Sequence, residues 1–350
     1  MSRNFAFSVV PLSPSSGLNI NAYIALKDKP IRQEQKLKTL QAYIKKYTTG
    51  WKKHLELADL LYEMGRWSEA VSEYYQVIEI QPQLIEPHIQ LGKILQLLKR
   101  KEEAISVYEQ AIILAKKEAT KQHLLGLIKH CQGNDRDAIA ALKLATDLEP
   151  KNLVHWLALG QIQMKSELPA NTLLTFKTIL SIDPNNLVGL VYGYDLLLAL
   201  GNFSEAERYL KKAIEVAPED IQTLKRSIHN RCRKRLVFKA EGRQTKRLIN
   251  SLLKQASSSP EAHNLLAQYF MLRGEPDRGI KILKQLTEEY SHNPHAWYYY
   301  SQSLFSLGKH EIAATAIVRA YELAADDNQK IYRALCEIFT TIDQFNQYAS

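Results

Sequence analysis

The spacing of apolar positions along the chain repeats one figure. Between Trp51 and Leu84, Leu57, Ala58, Leu60 and Leu61 recur at helical spacing, Gly65 interrupts, and a second stripe of Ala70, Val71, Tyr74, Val77 and Ile78 runs to Pro82. Apolar residues three and four apart mark one face of an α-helix, glycine ends it and proline forbids its continuation. The stretch therefore predicts helix, turn, helix and stop. Two such short helices cannot bury their apolar faces against each other alone, so they need a further copy to cover them.

The copies are present. Advancing 34 residues at a time returns a small residue at Ala70, Ala104, Ala138, Thr172 and Ala206, where the two helices of a pair meet. In the first helix Ala58, Gly92, Gly126 and Gly160 fall in register, each preceded by a leucine: Leu57, Leu91, Leu125 and Leu159. Large side chains are barred from such places because the helix axes approach within about 8–10 Å. A bulky column reads Tyr74, Tyr108, Leu142, Phe176 and Leu210, and the stop reads Pro82, Pro150, Pro184 and Pro218.

Together these columns resemble the tetratricopeptide repeat (TPR) family, whose unit is a helix-turn-helix with this alternation of small and bulky positions. The resemblance implies an all-α fold, a right-handed α-α superhelix of about seven to eight repeats. On this reading residues 1–29 form a tail, with a weak helical stretch at Leu18 to Lys27, and 30–50 an N-terminal capping helix with Leu37, Leu40, Tyr43 and Ile44 on one face. Residues 51–220 hold five repeats. After Pro218 the frame is lost, and the 39 residues from Ile221 to Ser259 read as a degenerate basic repeat with a five-residue insertion. Two repeats resume over 260–327, and Ile331, Leu335, Ile338 and Ile342 predict a C-terminal capping helix within 328–350. Two copies depart locally, the fifth with Gly193 and Tyr194 exchanged in character and the fourth with Glu167 and Pro169 in its turn.

Composition narrows the class. With 45% hydrophobic and 24% charged residues the chain is a folded protein and not a disordered one. No stretch reaches the run of about 18 apolar residues that a membrane span requires. The opening MSRNFAFSVVPLSPSSG is broken by Pro11 and Pro14 and lacks the apolar core of a secretory signal, so a cytoplasmic location is expected. Cys131, Cys232 and Cys336 are far apart and odd in number, which argues against a disulfide framework or a metal site. Phosphate loops, nucleophile elbows and paired metal-ligand spacings are missing, so neither catalysis nor a cofactor is expected. His54, His88 and His263 share one repeat column and read as structural.

Charge singles out one segment. Within Lys225 to Arg247 stand Lys225, Arg226, Arg231, Arg233, Lys234, Arg235, Lys239, Arg243, Lys246 and Arg247 against Glu241 alone, a net +9 that equals the net charge of the whole chain. Such a concentration attracts an acidic protein surface, nucleic acid phosphate or an anionic membrane face. Leu224, Ile228, Cys232 and Leu236 form a docking stripe, leaving the other faces to display the cations. The plainer alternative is a solvated helix paired with acids of adjacent repeats. Phe238 is the one aromatic in the segment, which weakens the case for stacked bases and favours an acidic protein.

Two further sets concern partners. The resemblance implies a concave groove lined by the first helices, where the matching columns hold Asp59, Ile89, Lys93, His123, Tyr192, Asp195, Lys225, His229, Tyr298 and Gln302. The carboxylate clamp of some family members is not reproduced, since Leu55, Asp59 and Gln90 occupy its first places. In the aromatic run Trp297 to Tyr300, the repeat columns put Trp297 and Tyr300 in the core and turn Tyr298 and Tyr299 towards the groove or its rim. The reading as a whole is a non-enzymatic adaptor or assembly scaffold, and the competing one is a nucleic-acid-associated or regulatory protein using the basic segment on phosphates.

Overall fold

The computed structural model describes residues 30–324 apart from Thr48, Glu167, Leu168 and Glu219, and beyond them Arg333, Leu335 and Cys336. The expected tail over 1–29, and the expected C-terminal helix over 328–350 save for those three residues, lie outside the described residues. Among the described residues there are seventeen helices and no strand. Helix α1 (Pro30–Lys46) precedes five pairs: α2 (Trp51–Glu63) with α3 (Trp67–Ile80), α4 (Ile85–Leu97) with α5 (Lys101–Leu114), α6 (Glu118–Cys131) with α7 (Asp135–Leu148), α8 (Leu153–Ser166) with α9 (Pro169–Ile182), and α10 (Leu187–Ala199) with α11 (Phe203–Val216). Three more follow: α12 (Ile221–Arg233) with α13 (Lys239–Gln255), α14 (Pro260–Leu272) with α15 (Pro276–Glu289), and α16 (Pro294–Ser306) with α17 (His310–Leu323). None of these helices is long and apolar enough to cross a membrane. The pairs group into two compact units, α1–α11 and α12–α17.

In the first unit each helix packs on the one before and the one after it. Leu37 and Leu40 of α1 join Leu57, Leu60 and Leu61 of α2 in one core, so the first repeat is covered on its outer side. The small and bulky columns meet as the spacing requires. A Cβ added at Gly92 would lie 2.2 Å from the ring of Tyr108, and one at Gly126 would lie 2.6 Å from Leu142. The fifth pair solves the same problem one residue earlier: Tyr209 closes over Gly193 at 2.7 Å, and Tyr194 is buried beside it.

The turn between the helices of a pair is also repeated. The N–H of Gly65 bonds to the carbonyl of Tyr62 at 3.0 Å and that of Arg66 to Leu61 at 2.9 Å, the two bonds of a Schellman motif, which needs positive φ at its cap. Gly133, Gly201, Gly274 and Gly308 take the same place, and Lys99 fills it in the second repeat at φ 60°.

Arg235, 34 residues after Gly201, fills it in the sixth at φ 54°, bonding to Cys232, while Leu236 bonds to Arg231. The 34-residue frame, expected from the sequence to be lost after Pro218, thus continues at this turn. Counted back from Pro260, Thr245 stands in the column of Ala70 and Ile249 in that of Tyr74, and both are fully buried. Both halves keep register, so the extra residues fall between Arg235 and Gly242, lengthening the turn and adding a turn to the start of the 17-residue α13 where α11 has 14.

In the second unit Ile228, Val237, Ile249 and Leu252 are fully buried with Leu265 and Phe270. A second cluster joins Leu283, Leu286, Ala313 and Ile317, and Leu335 and Cys336 rest against it.

Replacing Gly92 by Val is expected to lower stability by about 1–3 kcal/mol through overpacking against Tyr108. Tyr108→Ala should then cost less in the Gly92→Val background than in the native chain, a coupling readable from urea unfolding midpoints. Strict additivity would refute this contact as the limiting one.

Candidate interaction site

The basic segment divides at the turn between α12 and α13. On α12 the stripe Leu224, Ile228 and Cys232 is buried as its spacing requires, and burial pushes the Cys232 thiol up to about 12. Lys225 and Arg226, expected on a displayed face, are instead 8% and 2% exposed, and His229 is 5% exposed. The reason is geometric: α12 is gripped by both α13 and α14, so its covered arc is wider than one apolar stripe. Lys225 Nζ lies 3.6 Å from Glu261 on α14. Burial raises the Glu261 carboxyl, but the Lys225 charge and the Ser259 hydroxyl outweigh it and leave the group below the usual carboxylate range. Arg226 donates to the backbone and side-chain oxygens of Gln222 at 3.2 and 2.8 Å. Both ring nitrogens of His229 are buried without a hydrogen-bond partner, and burial, aided by Arg226 and Arg233, lowers its pKa to about 4.

Arg231 and Arg233 are also engaged by their own chain. Arg231 Nε donates to Thr245 Oγ1 at 2.8 Å, and its Nη2 meets the carbonyl and the carboxylate of Glu241, the one acid of the segment. Thr245 in turn donates a hydrogen bond from its hydroxyl to the carbonyl of Leu236 at 2.6 Å. Arg233 donates to Asn230 Oδ1 at 2.8 Å. Lys246 is half-buried with its ammonium 4.8 Å from the Phe270 ring, which Arg278 also approaches at 4.1 Å. Lys234, Arg235, Lys239, Arg243 and Arg247 are exposed, as is Phe238 at 51%.

The groove residues are more enclosed than the columns implied. Tyr192 is buried with its ring stacked on Phe176, centroids 5.8 Å apart, and Asp195 is half-buried. Asp59 accepts a hydrogen bond from Tyr74 at 2.5 Å. Tyr298 and Tyr299 are buried and in contact, whereas Trp297 and Tyr300, expected in the core, are half-buried. The expectation fails because α16 is covered from three sides, by α14, α15 and α17, so its buried arc takes in both inner tyrosines. Gln302, half-buried, donates to the Tyr298 hydroxyl at 2.6 Å. His54, His88 and His263 bond within the fold, to Glu73 and to the carbonyls of Leu84 and Ser259 respectively.

A polar chain between the third and fourth repeats escaped the sequence reading. Lys117 reaches Glu149 at 2.8 Å, Glu149 lies 3.2 Å from His155 Nε2, and His155 Nδ1 lies 3.1 Å from His123 Nδ1. Lys117, with Asn152 and His155, holds the Glu149 carboxyl down to about 2. Burial lowers His123 well below the ordinary histidine value, with the Lys93 charge adding to it. Among the described residues no group of three or more His, Cys, Asp or Glu side chains could hold a metal ion.

Family models agree with the repeat. A tetratricopeptide repeat model matches residues 85–118 and 193–220, and a TPR repeat model matches 58–99. The chain is a tetratricopeptide repeat protein. A third model, for the anaphase-promoting complex, cyclosome, subunit 3, matches 247–320 and so begins at the last residue of the basic segment. Among solved structures the TPR chain is similar to one in the Cut9-Hcn1 hetero-tetramer of the APC/C, with TM-score 0.62 and 12% identity over 91% of this chain and 62% of that one. It also matches YrrB, a TPR protein with an unusual peptide-binding site, at TM-score 0.33 and 17% identity over 53% of this chain and 95% of that one. MamA matches at TM-score 0.34 and 22% identity over 46% and 95%. Among curated proteins none matches it in sequence.

A pH dependence follows from His229. Its folded pKa, about 4, lies below the ordinary histidine value of 6.5, so the unfolded chain takes up the proton first. The stability of the neutral, buried ring is present above pH 6.5 and is lost as pH falls towards 4, by about 3 kcal/mol in the limit. His229→Leu should flatten the fall in urea stability between pH 7 and pH 4 by an amount of that order. An unchanged slope in the variant would show that His229 is not held neutral in the fold.

Proposed function

We propose that this TPR protein is a non-enzymatic adaptor or assembly scaffold, taking a partner segment along the first-helix face of its repeats and an acidic partner through the basic segment at 225–247. The observation that carries the reading is how the segment's charge is shared out. The cations of α12 are absorbed by the fold, and Arg235, Lys239, Arg243 and Arg247 face outward with no acidic partner among the described residues. Uncompensated surface charge of one sign steers and orients an oppositely charged partner. The match of 247–320 to a subunit of a large assembly, and the likeness to the Cut9-Hcn1 chain, support the scaffold over an enzyme. Phe238 is the one exposed aromatic in the segment, and a lone ring does not make the stacking platform used for single-stranded nucleic acid. The phosphate reading is therefore second.

Nuclease-treated affinity purification of the full chain from its source cell tests this, with mass analysis of what is retained. Three forms are compared: native, a quadruple Arg235→Glu, Lys239→Glu, Arg243→Glu, Arg247→Glu variant, and Lys93→Glu on the first-helix face. A discrete protein held in fixed ratio by the native chain and lost from one variant of unchanged melting temperature is expected. If nuclease strips the native chain bare, the phosphate reading replaces the scaffold.

A further inference from the structure

The residues inserted between Arg235 and Gly242 form a built surface, and the rest of the fold spends several contacts on holding it. Val237 points inward and is fully buried. Thr245 ties the carbonyl of Leu236 to the side chain of Arg231, and Arg231 in turn holds both the carbonyl and the carboxylate of Glu241. Gly242 lies so close under Val237 that a Cβ there would come to 2.2 Å from the Val237 carbonyl oxygen. Tyr269 of α14 donates to the Gly242 carbonyl at 3.2 Å.

What this frame presents is charge and one ring. Arg235 and Lys239 bracket Phe238, both at positive φ (54° and 48°), a backbone state that side-chain-bearing residues adopt only where the surroundings impose it. Phe238 is 51% exposed. From Lys239 the cations continue as Arg243 and Arg247, four residues apart, on one face of α13. That spacing corresponds to a rise of about 6 Å between successive charges. Glu241, the one acid of the segment, is taken by Arg231, and among the described residues Lys239, Arg243 and Arg247 have no acidic partner.

We propose that this surface docks an acidic α-helix of a partner protein, one carrying carboxylates at every fourth position along the face that meets Lys239, Arg243 and Arg247, with an apolar side chain covering Phe238. A helix laid alongside α13 repeats its carboxylates at the same rise, so each meets one cation, and the apolar residue removes the exposed ring from water. The flank beyond Phe238 offers Ala240 and Gln244 between the charges and no further large apolar group, so it has nothing to insert into a bilayer. This deepens the scaffold reading and rests on it.

The test uses the full chain and a helical peptide with glutamate at every fourth position and one leucine near the end that meets Phe238, beside a permuted peptide of the same composition. Duplex DNA and phosphatidylserine vesicles serve as competing probes. The patterned peptide is expected to bind at least about tenfold more tightly than the permuted one. The quadruple Glu variant should lose it, and a lysine-for-glutamate version of the patterned peptide should bind that variant in its place. Phe238→Ser should weaken binding about three- to tenfold while leaving the salt dependence unchanged. Equal binding of the two peptides overturns the proposal, as does tighter binding of DNA or vesicles. If the quadruple variant still retains the cellular partner, the docking surface fails while the scaffold stands; if no protein is retained by any form, the scaffold reading itself fails.

Discussion

The close approach of the two helices of a repeat, in most repeats a small first-helix residue beneath a bulky second-helix side chain, is what the rest of the array depends on. Tyr108 shows its energetic weight. A tyrosine ring removes about 150–250 Å² from water, worth roughly 4–6 kcal/mol at about 25 cal/mol per Å². Its hydroxyl is buried without a hydrogen-bond partner, which costs about 1–3 kcal/mol. The ring wins, and it can be buried so fully only because Gly92 leaves room for it. The fifth repeat shows that the requirement is on the pair and not on the column, since Gly193 and Tyr209 restore it one residue earlier.

The same packing sorts the charge. α12 and α13 are neighbours in one basic run, yet their cations meet opposite fates. A first helix is covered by its own partner and by the first helix of the next repeat, so Lys225, Arg226 and His229 are drawn in, and each is met differently: an ion pair, hydrogen bonds to Gln222, and loss of the proton. Buried charge is tolerated only with such compensation. A second helix has an outward side that nothing in its own unit covers, and there Lys239, Arg243 and Arg247 keep their charge at the surface. A count of cations along the segment conceals this division, because it depends on the third neighbour.

How much of this could be read from the residues follows from how local each signal is. The helix pairs, the small and bulky columns and the apolar face of α1 depend on spacing within one or two repeats, and spacing is visible. The continuity of the frame at Arg235 is hard to see in the sequence because an arginine holds the left-handed cap that glycine holds in most other repeats. The repeat columns turn Tyr298 and Tyr299 towards the groove or its rim, but α16 packs against three helices and both are buried. His123 and His155 stand 32 residues apart and so share no column, yet adjacent first helices bring them to 3.1 Å. No period reveals a contact between unlike columns.

The position of the insertion links fold to surface. Because register holds up to Arg235 and again from Gly242, the added residues lie beyond the stretch that α14 must cover, and the buried positions Thr245, Ile249 and Leu252 remain where an ordinary repeat has them. Three residues added to a helix make close to one turn, so α13 gains length at its start without turning its apolar face away from its neighbours. The added turn therefore costs little packing, and its side chains are released from the core's demand for apolar groups. Val237 anchors it, Arg231 and Thr245 brace it, and Phe238 with the cations around it is what remains outside. A repeat that keeps the interfaces of its own unit while growing at one end gains surface residues without giving up core positions.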